Sequence, residues 1–247
     1  TDTAAIVPLI LESSRHLHAV GLEQDRALAD RLEPFCARAF FSAEELPASE
    51  RLGLSEHRVA KNEIPGRIAQ RYRITAELLA RLNRDYDERR LQIGQELRVL
   101  DLAAGELWVE VHKSSFRLAL WHMLRDEEGR DVPLLLACLP VGLGASDSPT
   151  PSGETAVEKR VRDPEWTDPV SGRVFAPKDP GNVLGGYWMA LAPEGIGKQG
   201  IGFHGYTGAA PADWIEKPAS NGCVRLLQAD IDRLFHTALE GTRVVLR

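Results

Sequence analysis

The sequence predicts a mostly β domain with one late helix at residues 105–247, a small α+β module at 56–102, and a helical segment with a linker at 1–55. Three observations carry that division. Apolar, β-like runs recur from residue 106 onward with turn signals between them. Residues 57–100 read as strand, helix, helix, strand. Residues 23–45 are mostly helix formers.

In the first segment, "EQDRALADRLEPFCARAFFSAEE" puts Leu28, Leu32, Phe35 and Ala39 on one face, with Pro34 expected to kink or split the helix. "LPASERLGLSE" reads as a linker by its Pro, Ser and Gly. In the second, "HRVAK" alternates as a short strand, and "IPGRIAQRY" is an amphipathic helix with Ile64, Ile68 and Ala69 on one side. Thr75 is placed to cap "AELLARLN", with Glu77 in the first turn, where the helix dipole favours an acid. "LQIGQELRVL" supplies a turn and a closing strand.

In the third segment, "ELWVEVHK", "RLALWHML" and "PLLLACLPVGLG" are strand-like, and "EEGRD" fits a hairpin loop. Residues 146–186, rich in Pro, Gly, Asp and Ser, read as one long loop of the kind that is functional or flexible. "YWMALA" and "GIGFHG" are further strands. "LQADIDRLFHTALEG" is a helix with Ile231, Leu234, Phe235 and Ala238 on its apolar face and Gly241 as its stop. "RVVL" closes the domain.

Composition narrows the function. The 247 residues carry a net charge of −6, so there is no global basic field to attract nucleic acid. No apolar run approaches the roughly 20 residues of a membrane helix. The chain starts at Thr1, which leaves room for a removed leader such as a secretory signal. Cys36, Cys138 and Cys223 form no CxxC or zinc pattern, and an odd number leaves at least one thiol free; Cys36 with Cys138 is a possible disulfide. "HLH" at 16–18 lacks a nearby third ligand and reads as surface histidine. No metal or cofactor is predicted, and oligomeric state is not legible.

Cys223, in "SNGCVR", differs from the other two thiols. Cys138 sits in the apolar run "LLLACLP" and reads as a small buried hydrophobe, as does Cys36. Cys223 follows a glycine and a polar patch. A nucleophilic thiol needs a base, hydrogen-bond donors for an oxyanion, and access to a groove. His204, in "GIGFHGYTG", lies 15 intervening residues before Ser220, enough to loop back. Gly205 lets the backbone approach so that a carbonyl can orient the imidazole. Gly222 permits a sharp turn, and the N–H groups of Gly222 and Cys223 are candidate oxyanion donors. Arg225 is a candidate anchor for a substrate carboxylate or the loop itself. The helix after Cys223 would lower the thiol pKa if its N-terminus faced the sulfur. His112, His122 and His236 read as structural or surface, and Trp108, Trp121 and Trp188 as core. Trp214, between His204 and Cys223, is a groove wall or a cap.

Two resemblances sharpen this. "RVAKNEIPGRIAQRY", "ITAELLARLN" and "LQIGQELRV" resemble a LysM module, a small carbohydrate-binding domain. Where that family has a Gly-Asp-Thr type turn, this chain has Asn62, Glu63 and Ile64, so a glycan-binding module and a LysM-shaped spacer both stand. His204-Gly205, then fourteen residues, then Ser220-Asn221-Gly222-Cys223-Val224-Arg225 resembles the YkuD-type L,D-transpeptidases of bacterial cell walls. "LPVGLGASDSPTPSGE", with Thr150, Pro151 and Gly153, and "NVLGGYWMAL" agree with it, as do the closing helix and strand.

The resemblance implies a β-sandwich with a catalytic groove under a mobile lid. It implies Cys223 as nucleophile, His204 as base, Gly222 and Cys223 as oxyanion donors, and Ser220, Gly205 and Arg225 as support. It implies residues 156–186 as lid and groove wall, with Trp166 inside and Tyr187 just after. Asn221 replaces a histidine common in the family and cannot take a proton. The implied partners are peptidoglycan stem peptides and glycan strands, in the bacterial envelope outside the cytoplasmic membrane. The implied reaction forms an acyl-enzyme on a tetrapeptide stem with loss of D-alanine, then transfers the acyl group to an amine. An L,D-carboxypeptidase, an amidase releasing a wall-linked protein, and a non-catalytic LysM wall-binding protein are the alternatives.

Overall fold

Two helices open the chain: α1 (Ile6–Val20) and α2 (Arg26–Phe41). The computed structural model describes residues 3–47, 49–84, 86–126, 128–168 and 171–247, so Glu127 of the expected hairpin loop lies outside the described residues. Asp25 caps α2, its Oδ1 accepting the Leu28 N–H at 3.2 Å. The buried face of α2 is Ala29, Leu32, Cys36, Ala39 and Phe40. Leu28 and Phe35, expected on that face, are only half-buried. Pro34 neither splits nor ends the helix; it stands on the exposed side, where water can satisfy the orphaned carbonyl.

Contacts divide the chain into two compact units, one holding residues up to Leu107 with Leu120–Cys138, the other Trp108–Ala119 with Leu139–Arg247. In the first, the stretch predicted as a linker is packed: it forms a short 3-10 helix (Ser49–Leu52) and the start of β1 (Leu54–Arg58), with Leu46, Leu52 and Leu54 buried. β1 pairs antiparallel with β2 (Glu96–Leu100). Between them lie α3 (Pro65–Arg71) and α4 (Ala76–Arg81). Ile68, Ala69, Leu78, Leu79, Leu97 and Val99 make their common core. The Thr75 hydroxyl accepts the Leu78 N–H at 3.2 Å, as its capping position predicts. Ile64, expected on the buried side, is 55% exposed because it is the cap residue before α3.

The turn after β1 replaces glycine by other means. Asn62 adopts φ 67, a left-handed conformation that asparagine tolerates. The Glu63 carboxylate accepts the Ala60 N–H and meets His57 Nε2, both at 2.8 Å, while His57 Nδ1 meets the Tyr72 hydroxyl at 3.0 Å. The Ala60 N–H, then His57, hold the Glu63 carboxyl below its usual range.

The remaining strands are β3 (Glu106–His112), β4 (Arg117–Arg125), β5 (Asp131–Pro140), β6 (Leu143–Gly144), β7 (Gly153–Arg162), β8 (Trp166–Thr167), β9 (Val174–Phe175), β10 (Tyr187–Leu191), β11 (Gly202–Gly205), β12 (Pro218–Ser220), β13 (Val224–Leu226) and β14 (Arg243–Leu246). Helices α5 (Pro211–Trp214) and α6 (Gln228–Thr237) complete the chain. The main sheet runs β13-β11-β10-β7-β14-β3-β4-β5. Among the described residues of 105–247 the structure is mainly β with one late helix longer than a single turn, α6, as the sequence predicts. α6 buries Ile231, Leu234, Phe235 and Ala238, and Gly241, at φ 84, turns the chain toward β14.

The loop expected at 146–186 is corrected. β7 lies inside it and takes a central place between β10 and β14. Its sequence, GETAVEKRVR, is half charged, yet Thr155 and Val157 alternate inward. Its charges are spread over both faces: Glu154 is exposed, Lys159 reaches the cavity described below, and Arg160 lies 4.2 Å over the Phe235 ring, while the flanking Pro and Gly residues made the whole tract look irregular. Cys36, Cys138 and Cys223 form no disulfide among the described residues; in the first unit Cys36 and Cys138 are both buried, the Cys36 thiol donating to the Leu135 carbonyl at 3.2 Å. His122, on β4, is fully buried, and among the described residues neither ring nitrogen meets a partner.

Candidate active site

One cross-strand row builds the floor of a cavity of about 550 Å³ in the second unit. Val161 on β7 lies opposite Trp188 on β10, Trp188 opposite His204 on β11, and His204 opposite Arg225 on β13. Directly opposed residues share a face, so all four side chains reach the same side and all line the cavity. The Trp188 and His204 rings lie 5.8 Å apart between centroids. Trp188 was expected in the core. Its neighbours Met189 and Leu191 are the buried ones, and strand alternation was the signal that separates them.

Cys223 lies one residue before β13 and lines the same cavity, with Ser220 and Asn221. Its turn is held from behind. β12 pairs parallel with β6, and the Gly144 N–H on β6 donates to the buried Thr150 hydroxyl at 2.9 Å. The Ser220 hydroxyl donates to the Cys223 carbonyl at 2.6 Å and accepts the Gly222 N–H at 3.1 Å. The Gly222 N–H, expected to face an oxyanion, is therefore engaged by Ser220. Gly222 itself sits at φ 112, which favours glycine.

His204 is 5% exposed and its Nδ1 lies 2.6 Å from the Gly205 carbonyl. A carbonyl only accepts, so Nδ1 carries the proton and Nε2 is left as the basic nitrogen. A side chain at Gly205 would displace the Gln228 amide, which lies against that position. Burial pulls the His204 pKa down to about 4; the Gly205 bond opposes this and the Arg225 charge adds to it. Burial pushes the Cys223 thiol up, against a hydrogen bond from the Gly202 backbone and the charges of Arg225 and Lys198. The resting pair is thus a neutral thiol and a neutral imidazole. β13 stands between Cys223 and α6 in sequence, so the helix does not follow the cysteine directly.

Arg225 is fixed from three sides. Its backbone pairs with Gly142, its guanidinium donates to the Ala219 carbonyl at 2.8 Å, and it stacks 3.7 Å over the Tyr206 ring. It is committed to the loop.

The opposite wall is the short hairpin of β8 and β9 with its flanks. Pro164, Glu165, Trp166, Thr167, Val183 and Leu184 contribute to it. Trp166 stacks on Phe175 at 5.3 Å. Asn182, 7% exposed, donates to the carbonyls of Pro164 at 2.8 Å and Ala176 at 3.2 Å, tying the base of the hairpin together. Of the aromatic residues expected in the groove, Trp166 is there. Tyr187 and Trp214 are not part of the lining. Tyr187 donates to Asp232 on α6 at 2.8 Å, and Trp214, 1% exposed, packs edge-on against Tyr206.

Residues 106–246 match the family model for the YkuD L,D-transpeptidase catalytic domain, and residues 57–100 match that for the LysM domain. The proposed L,D-transpeptidase YqjB of Bacillus subtilis is 29% identical over 106 residues, 43% of this chain and 56% of its own length. The proposed L,D-transpeptidase YkuD of the same organism is 30% identical over 107 residues, 43% of this chain and 51% of its own. The chain thus spans about half the length of the curated relatives it matches. Among solved structures, an L,D-transpeptidase from Mycobacterium tuberculosis H37Rv aligns at 17% identity and TM-score 0.41 over 58% of each chain. One from Mycobacterium smegmatis aligns at 12% and 0.43, over 62% of this chain and 63% of that one.

Proposed function

Because the chain belongs to the YkuD L,D-transpeptidase family, we propose that Cys223 is the nucleophile and His204 the general base of a peptidoglycan L,D-transpeptidase. One observation supports this above the rest: His204 commits Nδ1 to the Gly205 carbonyl, leaving a basic Nε2 in the cavity that also holds Cys223.

The reaction follows from that pair. A stem tetrapeptide enters the cavity with the carbonyl of its third residue beside Cys223. His204 Nε2 takes the thiol proton as sulfur attacks the carbonyl carbon. The developing oxyanion is met by the Cys223 N–H, the Gly222 N–H being engaged by Ser220. The C–N bond breaks, the imidazolium returns its proton to the departing D-alanine nitrogen, and a thioester remains. An acceptor amine then attacks the thioester, gives its proton to His204, and releases the thiol. Arg225 steadies the loop and favours negative charge on sulfur. Ser220 and Gly205 hold the turn and the imidazole, Asn221 stands at the rim, and Trp166 and Trp188 wall the acyl donor.

In this reading residues 105–247 are the catalytic domain, 56–102 the LysM-like module that holds glycan strands, and 1–55 a helical segment that supports it. The protein works outside the cytoplasmic membrane; among the described residues no helix is long and apolar enough to cross one. The test is mass spectrometry of products from purified disaccharide-tetrapeptide, with Cys223→Ala alongside. A Cys223-dependent crosslinked dimer is expected. A Cys223-dependent tripeptide without dimer would replace transpeptidase by carboxypeptidase, and identical products from both proteins would remove Cys223 from the chemistry.

A further inference from the structure

Against the cysteine turn stands Lys198, in the loop between β10 and β11. Its Nζ donates to the Ser148 hydroxyl at 3.1 Å, and that hydroxyl donates to the Asn221 carbonyl at 2.9 Å. The chain before Ser148 is itself fastened to the same turn, the Ala145 N–H donating to the Ser220 carbonyl at 2.8 Å. At Gly222 the position a Cβ would take lies 2.8 Å from Lys198 Nζ and 3.0 Å from Ile201 Cδ1. The glycine before the cysteine thus does more than permit φ 112: its missing side chain is the space the ammonium approaches.

Lys198 is half-buried, and among the described residues it pairs with no carboxylate. A surface lysine normally has its charge screened by water or matched by an acid. Here the charge is directed at one short turn. The groups that face the Cys223 sulfur or line its cavity are His204 on β11, Arg225 on β13, Lys159 on β7 and Glu165 beside β8, with Lys198 behind. Glu165 alone among them is acidic.

We propose that Lys198 is a positioning residue for Cys223: through Ser148 it clamps the Asn221–Gly222 turn, and its ammonium supplies positive charge behind the nucleophile. This rests on Cys223 being the nucleophile. The role is distinct from that of Arg225, which is held by Tyr206 and Ala219. The clamp works while sulfur carries negative charge, before the thioester forms and again when the thiolate leaves. The Coulombic influence of Lys198 on the Cys223 thiol is in the lowering direction.

The experiment is the pH dependence of Cys223 alkylation by iodoacetamide in the full chain, followed by intact mass. The thiolate displaces iodide, so the midpoint reports the thiol and needs no wall substrate. Lys198→Met is expected to raise the midpoint and slow alkylation at pH 7 by about fivefold, while leaving the high-pH plateau near that of the parent. Lys198→Arg is expected to restore the parent midpoint, and Ser148→Ala, which frees the ammonium but keeps it, to shift it less than Lys198→Met. Thermal unfolding of each variant identifies any that fails to fold, and Lys198→Arg then carries the comparison with Ser148→Ala. One midpoint shared by parent, Lys198→Met and Ser148→Ala would overturn the proposal. A midpoint that moves as expected in a protein that transfers nothing from the tetrapeptide would leave the clamp standing and remove the transpeptidase reading instead.

Discussion

Replacing His122 with leucine is expected to change stability little at pH 7 and to protect the protein in acid. The imidazole is fully buried without a partner for either nitrogen among the described residues. Burial first, and the Arg73 charge second, draw its pKa from 6.5 to about 4. The unfolded chain therefore takes up this proton near 6.5, and the folded protein resists it until about 4. Between those values the unfolded state holds more protons. Stability rises with pH across the window and is lost as pH falls through it. At pH 4.5 nearly every unfolded molecule has a charged His122, against about a quarter of folded ones. Integrated from pH 7 to 4.5, at 1.36 kcal/mol per pH unit, the loss is roughly 2 kcal/mol. For a chain of this length each 1 kcal/mol moves Tm by about 2–4 °C, which makes ~5–8 °C in all. Circular dichroism melts of parent and His122→Leu at pH 7.0 and 4.5 read this directly. The Tm advantage of the variant should be larger at pH 4.5 by about that amount. The same Tm difference at both pH values would refute the reasoning, because His122 would then be no more reluctant to charge in the folded state than in the unfolded one.

Further expectations concern the site. With His204 titrating at about 4, the acid limb of kcat/KM should fall near there and not near 6.5; a limb at 6.5 would mean the imidazole is not buried as described. A carbapenem should add its full mass to the parent and nothing to Cys223→Ala, read by intact mass after incubation, and an unchanged parent would count against Cys223 as nucleophile. Gly222→Ala forces a side chain toward Lys198 at φ 112, so kcat should drop more than tenfold, at a strain of about 1–3 kcal/mol, with KM moving less. Asn182→Ala removes the bonds to Pro164 and Ala176, so limited proteolysis should cut the β8–β9 hairpin sooner; unchanged cleavage would mean the tie is dispensable.

What the sequence made legible follows local physics. Thr75 caps, α6 shows its apolar stripe, and the strands from 106 to 140 announce themselves by hydrophobic content. Cys223 and His204 were legible as a pair by spacing and flanking glycines, and the structure brings them to one cavity. What stayed hidden depends on the partner across the sheet. β7 is charged enough to pass for loop until β10 and β14 flank it. Trp188 looks like core because a strand's two faces cannot be told apart until one is covered. Lys198 acts through a hydrogen bond to a hydroxyl 50 residues away and Asn182 through one to a carbonyl 18 residues away, to which no local pattern points. Tyr187 and Trp214 erred the other way, since each packs on a partner of its own, Asp232 and Tyr206, outside the cavity lining.

The place of β14 has a consequence for the order in which the chain can fold. It lies between β7 and β3, parallel to the first strand of its domain and antiparallel to β7. A chain threaded out amino end first must keep β3 and β7 apart, with their edges unpaired, until residues 243–246 arrive to bridge them. Closure at such sequence separation is slow, and open strand edges invite wrong pairing meanwhile. The groove over β7, β10 and β11 is then completed late, so a chain stalled before residues 243–246 is expected to lack a finished cavity around Cys223.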